Sequence, residues 1–112
     1  MKRITYLIVA VALASAPAYA ADKKIERLWK SKCQSCHGAD GKAETEKGKK
    51  MKMHDLSTEA WQKKWSDADI KKVTLEGVAE EKEGVKKEMD AYKDFTPEQM
   101  DGLIKLMREF KK

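Results

Sequence analysis

The chain holds two cysteines, three residues apart, with a histidine directly after the second: Cys33-Gln34-Ser35-Cys36-His37. In a helical turn, positions i and i+3 lie on one side. Two thiols so placed can reach the two vinyl groups on one edge of a haem, and His37 can turn its imidazole to the iron. Cys-x-x-Cys-His is the attachment motif of c-type haem. Three other uses of the pair compete. A disulfide between Cys33 and Cys36 would suit an oxidising compartment. A thioredoxin-like redox pair belongs beside a βαβ pattern, and no strand pattern is visible. A structural zinc site takes four nitrogen or sulfur ligands, whereas His54 is the one further histidine and no third cysteine exists. The spacing favours one covalent haem c, attached through Cys33 and Cys36 and bound by His37.

A leader precedes the segment that must position this motif. Lys2 and Arg3 form a positive start, Ile4 to Ala14 is uncharged and apolar, and Ala18-Tyr19-Ala20 supplies small residues around a larger one. This is the pattern of a secretory signal peptide cut after Ala20. The apolar run is shorter than the roughly 20 residues a spanning helix needs. Residues 1–20 are therefore expected to be a signal peptide and 21–112 one exported domain without a membrane span. Loss of Lys2 and Arg3 lowers the formal charge from +5 to +3, and haem propionates would lower it further. Such a balance does not suggest a nucleic-acid binder. With 38% charged residues, the chain has little to build a core from. Domains this small are often helped by a cofactor, and a large apolar prosthetic group would supply the missing interior.

Four helical segments are predicted, and the fold class is all-α. The first spans about Lys23 to Lys32, where Ile25, Leu28 and Trp29 form an apolar stripe. A glycine- and lysine-rich loop follows from Gly38 to about Leu56. A short helix begins after Ser57, a candidate cap, and carries Trp61 and Trp65 one turn apart. A third begins at Ser66, which forms a capping-box pattern with Asp69, and stops at Gly77. Ala79 to Glu88 is mostly charged and reads as loop. The last helix has the clearest start: Thr96 as cap, Pro97 at the first position, and Gln99 completing a capping box. Met100, Leu103, Ile104, Met107 and Phe110 give it an apolar face.

Over most of residues 21–112 the chain resembles the small class I monohaem cytochromes c of the bacterial periplasm. The likeness begins at Leu28-Trp29 and runs through Cys33-Gln34-Ser35-Cys36-His37-Gly38. It includes Asp55-Leu56-Ser57-Thr58-Glu59-Ala60-Trp61 and the helix from Ser66 to Gly77. It ends with Met89-Asp90-Ala91-Tyr92 and Phe95-Thr96-Pro97-Glu98-Gln99-Met100. The resemblance implies a small cytochrome c-like helical fold wrapped around one haem, a periplasmic location, and Met89 as the distal iron ligand. The chain departs from the family in four places. Asp90 follows Met89 where a proline is usual. No proline lies near Met53-His54, where a proline carbonyl often accepts a bond from the proximal imidazole. Ile25 stands at a common glycine position, and Leu106 at a common aromatic one. These last two depart together, so a larger residue at one can offset a smaller residue at the other.

Other residues compete with Met89. Met100 and Met107 belong to the core face of the last helix. Met51 and Met53, in the loop, are alternative distal ligands, as is His54, since thioether and imidazole both bind haem iron. His54 also reads as a loop residue near a propionate. Trp61 and Trp65 read as core, and either could donate its indole N–H to a propionate. Trp29 is expected between the first and last helices, and Tyr92 against the haem or beside Met89. Lys47, Lys49, Lys50, Lys52, Lys63, Lys64, Lys71 and Lys72 form a solvated face that could also orient the molecule on an acidic redox partner. A His/Met-ligated iron has no open position, so the expected function is single-electron transfer by a monomer. No residue set suggests acid–base or nucleophilic catalysis, and no enzyme activity is expected. The rival is a haem sensor or small haem subunit with an open or labile distal site.

Overall fold

The computed structural model describes the backbone of residues 18–111 and the side chains of 23–111. The leader assigned to residues 1–20 lies almost wholly outside the described residues. Along the chain come α1 (Ala18–Lys32), α2 (Gln34–His37), α3 (Glu46–Lys50), α4 (Glu59–Lys64) and α5 (Asp67–Glu76). Then follow β1 (Val78–Lys82), β2 (Val85–Met89) and α6 (Pro97–Glu109).

The helix starts follow local chemistry. Ser66 Oγ accepts from the Asp69 N–H, and the Asp69 side chain accepts from the Ser66 N–H. Thr96 and Gln99 form the same reciprocal pair around Pro97. Both are capping boxes that satisfy orphan amide donors. The cap of α4 is Thr58, whose hydroxyl accepts from the Trp61 N–H, and not Ser57. Ser57 instead bonds to Asp55 through both its N–H and its hydroxyl.

The buried centre gathers Trp29, Leu56, Trp61, Ile70, Leu103 and Met107 around Met100. Met100 and Leu103 have no exposed surface, as the apolar face of α6 requires. Helices α1 and α6 cross where Ile25 lies on Gly102: a Cβ at Gly102 would fall 2.6 Å from both Cγ1 and Cδ1 of Ile25. The small residue opposite Ile25 is therefore Gly102, one turn before Leu106. At the far end of α6, Arg108 ties the helix to the α4–α5 junction. It donates to the carbonyls of Gln62 at 2.9 Å and Trp65 at 2.6 Å, and to Asp67 Oδ1 at 2.8 Å. Its guanidinium also stands 5.8 Å from the Trp61 ring centre.

The all-α expectation needs one correction. The segment read as a charged loop, Ala79 to Glu88, lies within an antiparallel hairpin of β1 and β2. Its strands are mostly exposed, so no apolar alternation marks them. Two other features specify it. Glu80 stands opposite Lys87 and Glu81 opposite Lys86, and opposite charges across an antiparallel pair are favourable. Glu83 and Gly84 form the two-residue turn with φ of 53° and 78°, the paired positive values of the tight hairpin turn whose twist matches the strands. The fold is thus mostly helical with one small hairpin.

Candidate haem-binding cleft

The helices and hairpin enclose a cleft with about 1010 Å³ between its atoms, part of it continuous with solvent. Trp29, Cys33 and His37 line it, together with Leu103 and Met107 of α6. Ile70, Val73 and Thr74 of α5 and Met89 of β2 line it too. Its surface is dominantly apolar, as a buried planar macrocycle demands.

The attachment motif is held by its carbonyls. Trp29 Nε1 donates to Gly38 O at 2.9 Å. Ala43 N donates to His37 O at 2.9 Å, and Thr45 Oγ1 to Cys36 O at 2.7 Å. The same Thr45 oxygen accepts from Gly48 N at 2.9 Å, inside α3. The loop expected to be irregular therefore contains one helical turn whose cap also holds the haem motif. Gly48 is obligatory there, because a Cβ would come within 2.5 Å of the Cys36 and Ala43 oxygens.

Cys33 is buried and Cys36 half-buried, and the two thiols are free. Burial, with the neighbouring Cys36, pushes the Cys33 thiol up to about 11. Reactive redox thiols have the opposite shift, so the thioredoxin-like reading loses support. Among the described residues, no group of three or more His, Cys, Asp or Glu side chains could hold a metal ion, which removes support for a zinc site.

Burial holds His37 down to about 4, so its imidazole is neutral at neutral pH, the form that binds metals. Its Nδ1 is sealed without a hydrogen-bond partner. The ring lies 5.7 Å from that of Trp29. With Nδ1 sealed and His37 lining the cleft, Nε2 is the nitrogen left to meet a ligand there. A neutral imidazole with one free nitrogen, two free thiols beside it and an apolar cleft fit a covalent haem.

Met89 lines this cleft, and so do Met51, Met53 and His54. Lys52, between the two loop methionines, has a φ of 48°. His54 lies 6.3 Å from the Trp65 ring, and Trp65 stacks on Trp61 at 6.3 Å. Partial burial and the Lys87 and Lys64 cations hold His54 below its usual range. These cations are a feature that sequence reading missed at Lys87, which sits in the segment taken for a loop. Met100 and Met107 are core residues, 0% and 6% exposed.

A helical shell closing on a single Cys-x-x-Cys-His motif defines a small monohaem c-type cytochrome. The model of the family described as cytochrome c oxidase, cbb3-type, subunit III matches residues 20–107, and the chain belongs to that family. Among solved structures it is similar to the KustC0563 c-type cytochrome. The two share 31% identity and a TM-score of 0.63, over 78% of this chain and 96% of that one. No curated protein gives a significant match.

Proposed function

We propose that this cytochrome is a periplasmic one-electron carrier. Cys33 and Cys36 would attach its single haem c, and His37 and Met89 would hold the iron. The observation that carries the reading is that His37 and Met89 line one apolar cleft with Cys33 in its wall. When bound, the haem iron supplies a one-electron couple between its ferrous and ferric states. The chain's own residues do the rest. His37 offers a neutral nitrogen, and Met89 a thioether that needs no deprotonation, so both can stay bound over a broad pH range. Thioether ligation raises the potential relative to two imidazoles. Trp61, Ile70, Leu103 and Met107 give the cleft an apolar lining, which disfavours added charge.

The exposed lysines of α3 and the following turn, Lys47, Lys49, Lys50 and Lys52, suit docking on an acidic redox protein. The family's description is of an oxidase subunit, which supports a redox-enzyme partner, with this chain either a free carrier or its electron-entry subunit. Met51, Met53 and His54 share the cleft, and they support the rival reading of a labile distal site.

Intact mass and spectra test the proposal. The exported protein should weigh the chain from Ala21 plus one haem, and acid–acetone should leave the colour on the protein. Met89→Ala should abolish the weak sulfur–iron band at the red end of the ferric spectrum, lower the potential and admit carbon monoxide. His54→Ala should do none of these. An apo mass with a disulfide would end the haem reading. Opening of the iron by His54→Ala, with Met89→Ala silent, would make the carrier a bis-histidine one.

A further inference from the structure

Within the stretch from Gly77 to Tyr92, Val78, Glu80, Lys87, Glu88 and Met89 line the hairpin side of the cleft. An isolated two-stranded hairpin is marginal in water, and this one is mostly exposed. Met89-Asp90-Ala91 contains no proline, so no ring fixes φ there. Strand pairing alone cannot hold Met89 in one place.

Two contacts at the open end of the hairpin bound this segment. Helix α5 ends at Gly77 with φ 77°, and the chain returning from β2 crosses directly over it. A Cβ on Gly77 would lie 2.6 Å from the Met89 oxygen, 2.9 Å from the Ala91 nitrogen and 3.1 Å from the Asp90 carbonyl carbon. All three are backbone atoms, which cannot yield as a side-chain tip does. Three residues after Met89, the Tyr92 N–H donates to Thr74 O at 3.0 Å, on the last turn of α5. The Tyr92 hydroxyl donates to Lys32 O, also at 3.0 Å. Lys32 is the residue before Cys33. Met89 thus sits between a backbone crossing and a hydrogen bond that spans to the attachment motif.

We propose that Gly77 and Tyr92 are the positioning residues of the distal ligand. The Gly77 crossing sets how far the Met89 backbone reaches over the cleft. The Tyr92 hydroxyl latches that segment to the Cys33 end of α1. The proposal rests on Met89 being the distal ligand. Its cause is steric at one anchor and a single hydrogen bond at the other, so the two can be broken separately.

The test uses the haem-loaded protein and three variants, Met89→Ala, Gly77→Ala and Tyr92→Phe. Readouts are the ferric sulfur–iron band, carbon monoxide binding by the ferrous form, and helix content on heating. Gly77→Ala should lose the band and bind carbon monoxide with its helix content intact. Tyr92→Phe keeps the ring that stacks 4.8 Å from Phe95 and removes only the hydroxyl. Its band should vanish at a lower temperature than in the wild type, while the helix melt stays unmoved. If Gly77→Ala does not fold, Tyr92→Phe decides. A full band and no carbon monoxide binding in Gly77→Ala would overturn the proposal, as would a band and helix melt that shift together in Tyr92→Phe. A band that survives Met89→Ala instead overturns the ligand assignment beneath it. Loss of the band in Met89→Ala, with both other variants unchanged, refutes the positioning roles alone.

Discussion

Substituting Gly102 by Ala tests the crossing of α1 and α6. Two effects of opposite sign meet there. Ala is favoured over Gly in a helix interior by about 1 kcal/mol, so an open site would be stabilised. Here the new Cβ would lie 2.6 Å from both Cγ1 and Cδ1 of Ile25. Carbon atoms prefer separations of about 3.5–4.0 Å, so Ile25 or the helix must move by about 1 Å. Ile25 is β-branched and has essentially one χ1 rotamer in a helix, so rotation offers no easy escape. Overpacking of this kind costs about 1–3 kcal/mol. The net expectation is a loss of up to ~2 kcal/mol, or a fall in Tm of about 4–8 °C for each kcal/mol in a domain of this size. Ile25→Ala in the same chain removes the clashing atoms and should recover the propensity gain. Thermal and urea unfolding of the haem-loaded wild type, both single variants and the double variant gives the coupling energy. A coupling of about 1 kcal/mol or more in favour of the pair is expected. Additivity within about 0.5 kcal/mol, or a stabilised Gly102→Ala, would refute the contact.

Two further outcomes follow from the same geometry. Arg108→Met should destabilise by about 3–6 kcal/mol, since a hydrogen bond from a charged donor is worth roughly 1.5–3 kcal/mol and the two carbonyls it bonds, of Gln62 and Trp65, are part-buried. A lower urea midpoint at unchanged slope is the measurement, and an unmoved midpoint would show that α6 does not need this tie. If the exposed lysines around α3 steer docking, electron transfer with an acidic partner should slow as ionic strength rises. A rate indifferent to salt returns them to a solvated face.

The elements legible in the sequence were those whose signals are local. The capping boxes of α5 and α6 each need only four consecutive residues, and both formed as read. The stripe of α6 is a matter of period: Met100, Leu103, Ile104 and Met107 are buried, while Phe110 caps the helix end and is half-buried. The hairpin escaped because its signal is neither apolar nor local to one strand. Glu80 and Glu81 mean little until Lys87 and Lys86 are set opposite them across the turn. The Glu83-Gly84 turn was the available clue, since Gly tolerates positive φ and two-residue turns of this kind join strands. Ile25 shows a related limit. The sequence paired Ile25 with Leu106 as mutually offsetting departures, and only once α6 was docked did Gly102, one turn earlier, come to face Ile25.

The site divides along the same line. Cys33, Cys36 and His37 are neighbours in sequence, so their chemistry is written in one turn of chain. The distal ligand is a question of topology, because Met51, Met53, His54 and Met89 all line the cleft and residue type alone does not rank them. The proposal of Met89 rests on backbone geometry. The loop methionines and His54 follow α3 on a segment whose carbonyl and amide bonds run back to Gly48 and Gly41, close in sequence to the attachment motif. Met89 arrives instead at the end of a strand that crosses Gly77 and is tied through Tyr92 to Lys32. A ligand held from two separate elements can keep its place when the iron changes charge, whereas a loop side chain held from one can swing away. The glycine that permits that crossing reads in the sequence only as a helix stop, so half of its role is invisible until β2 has returned.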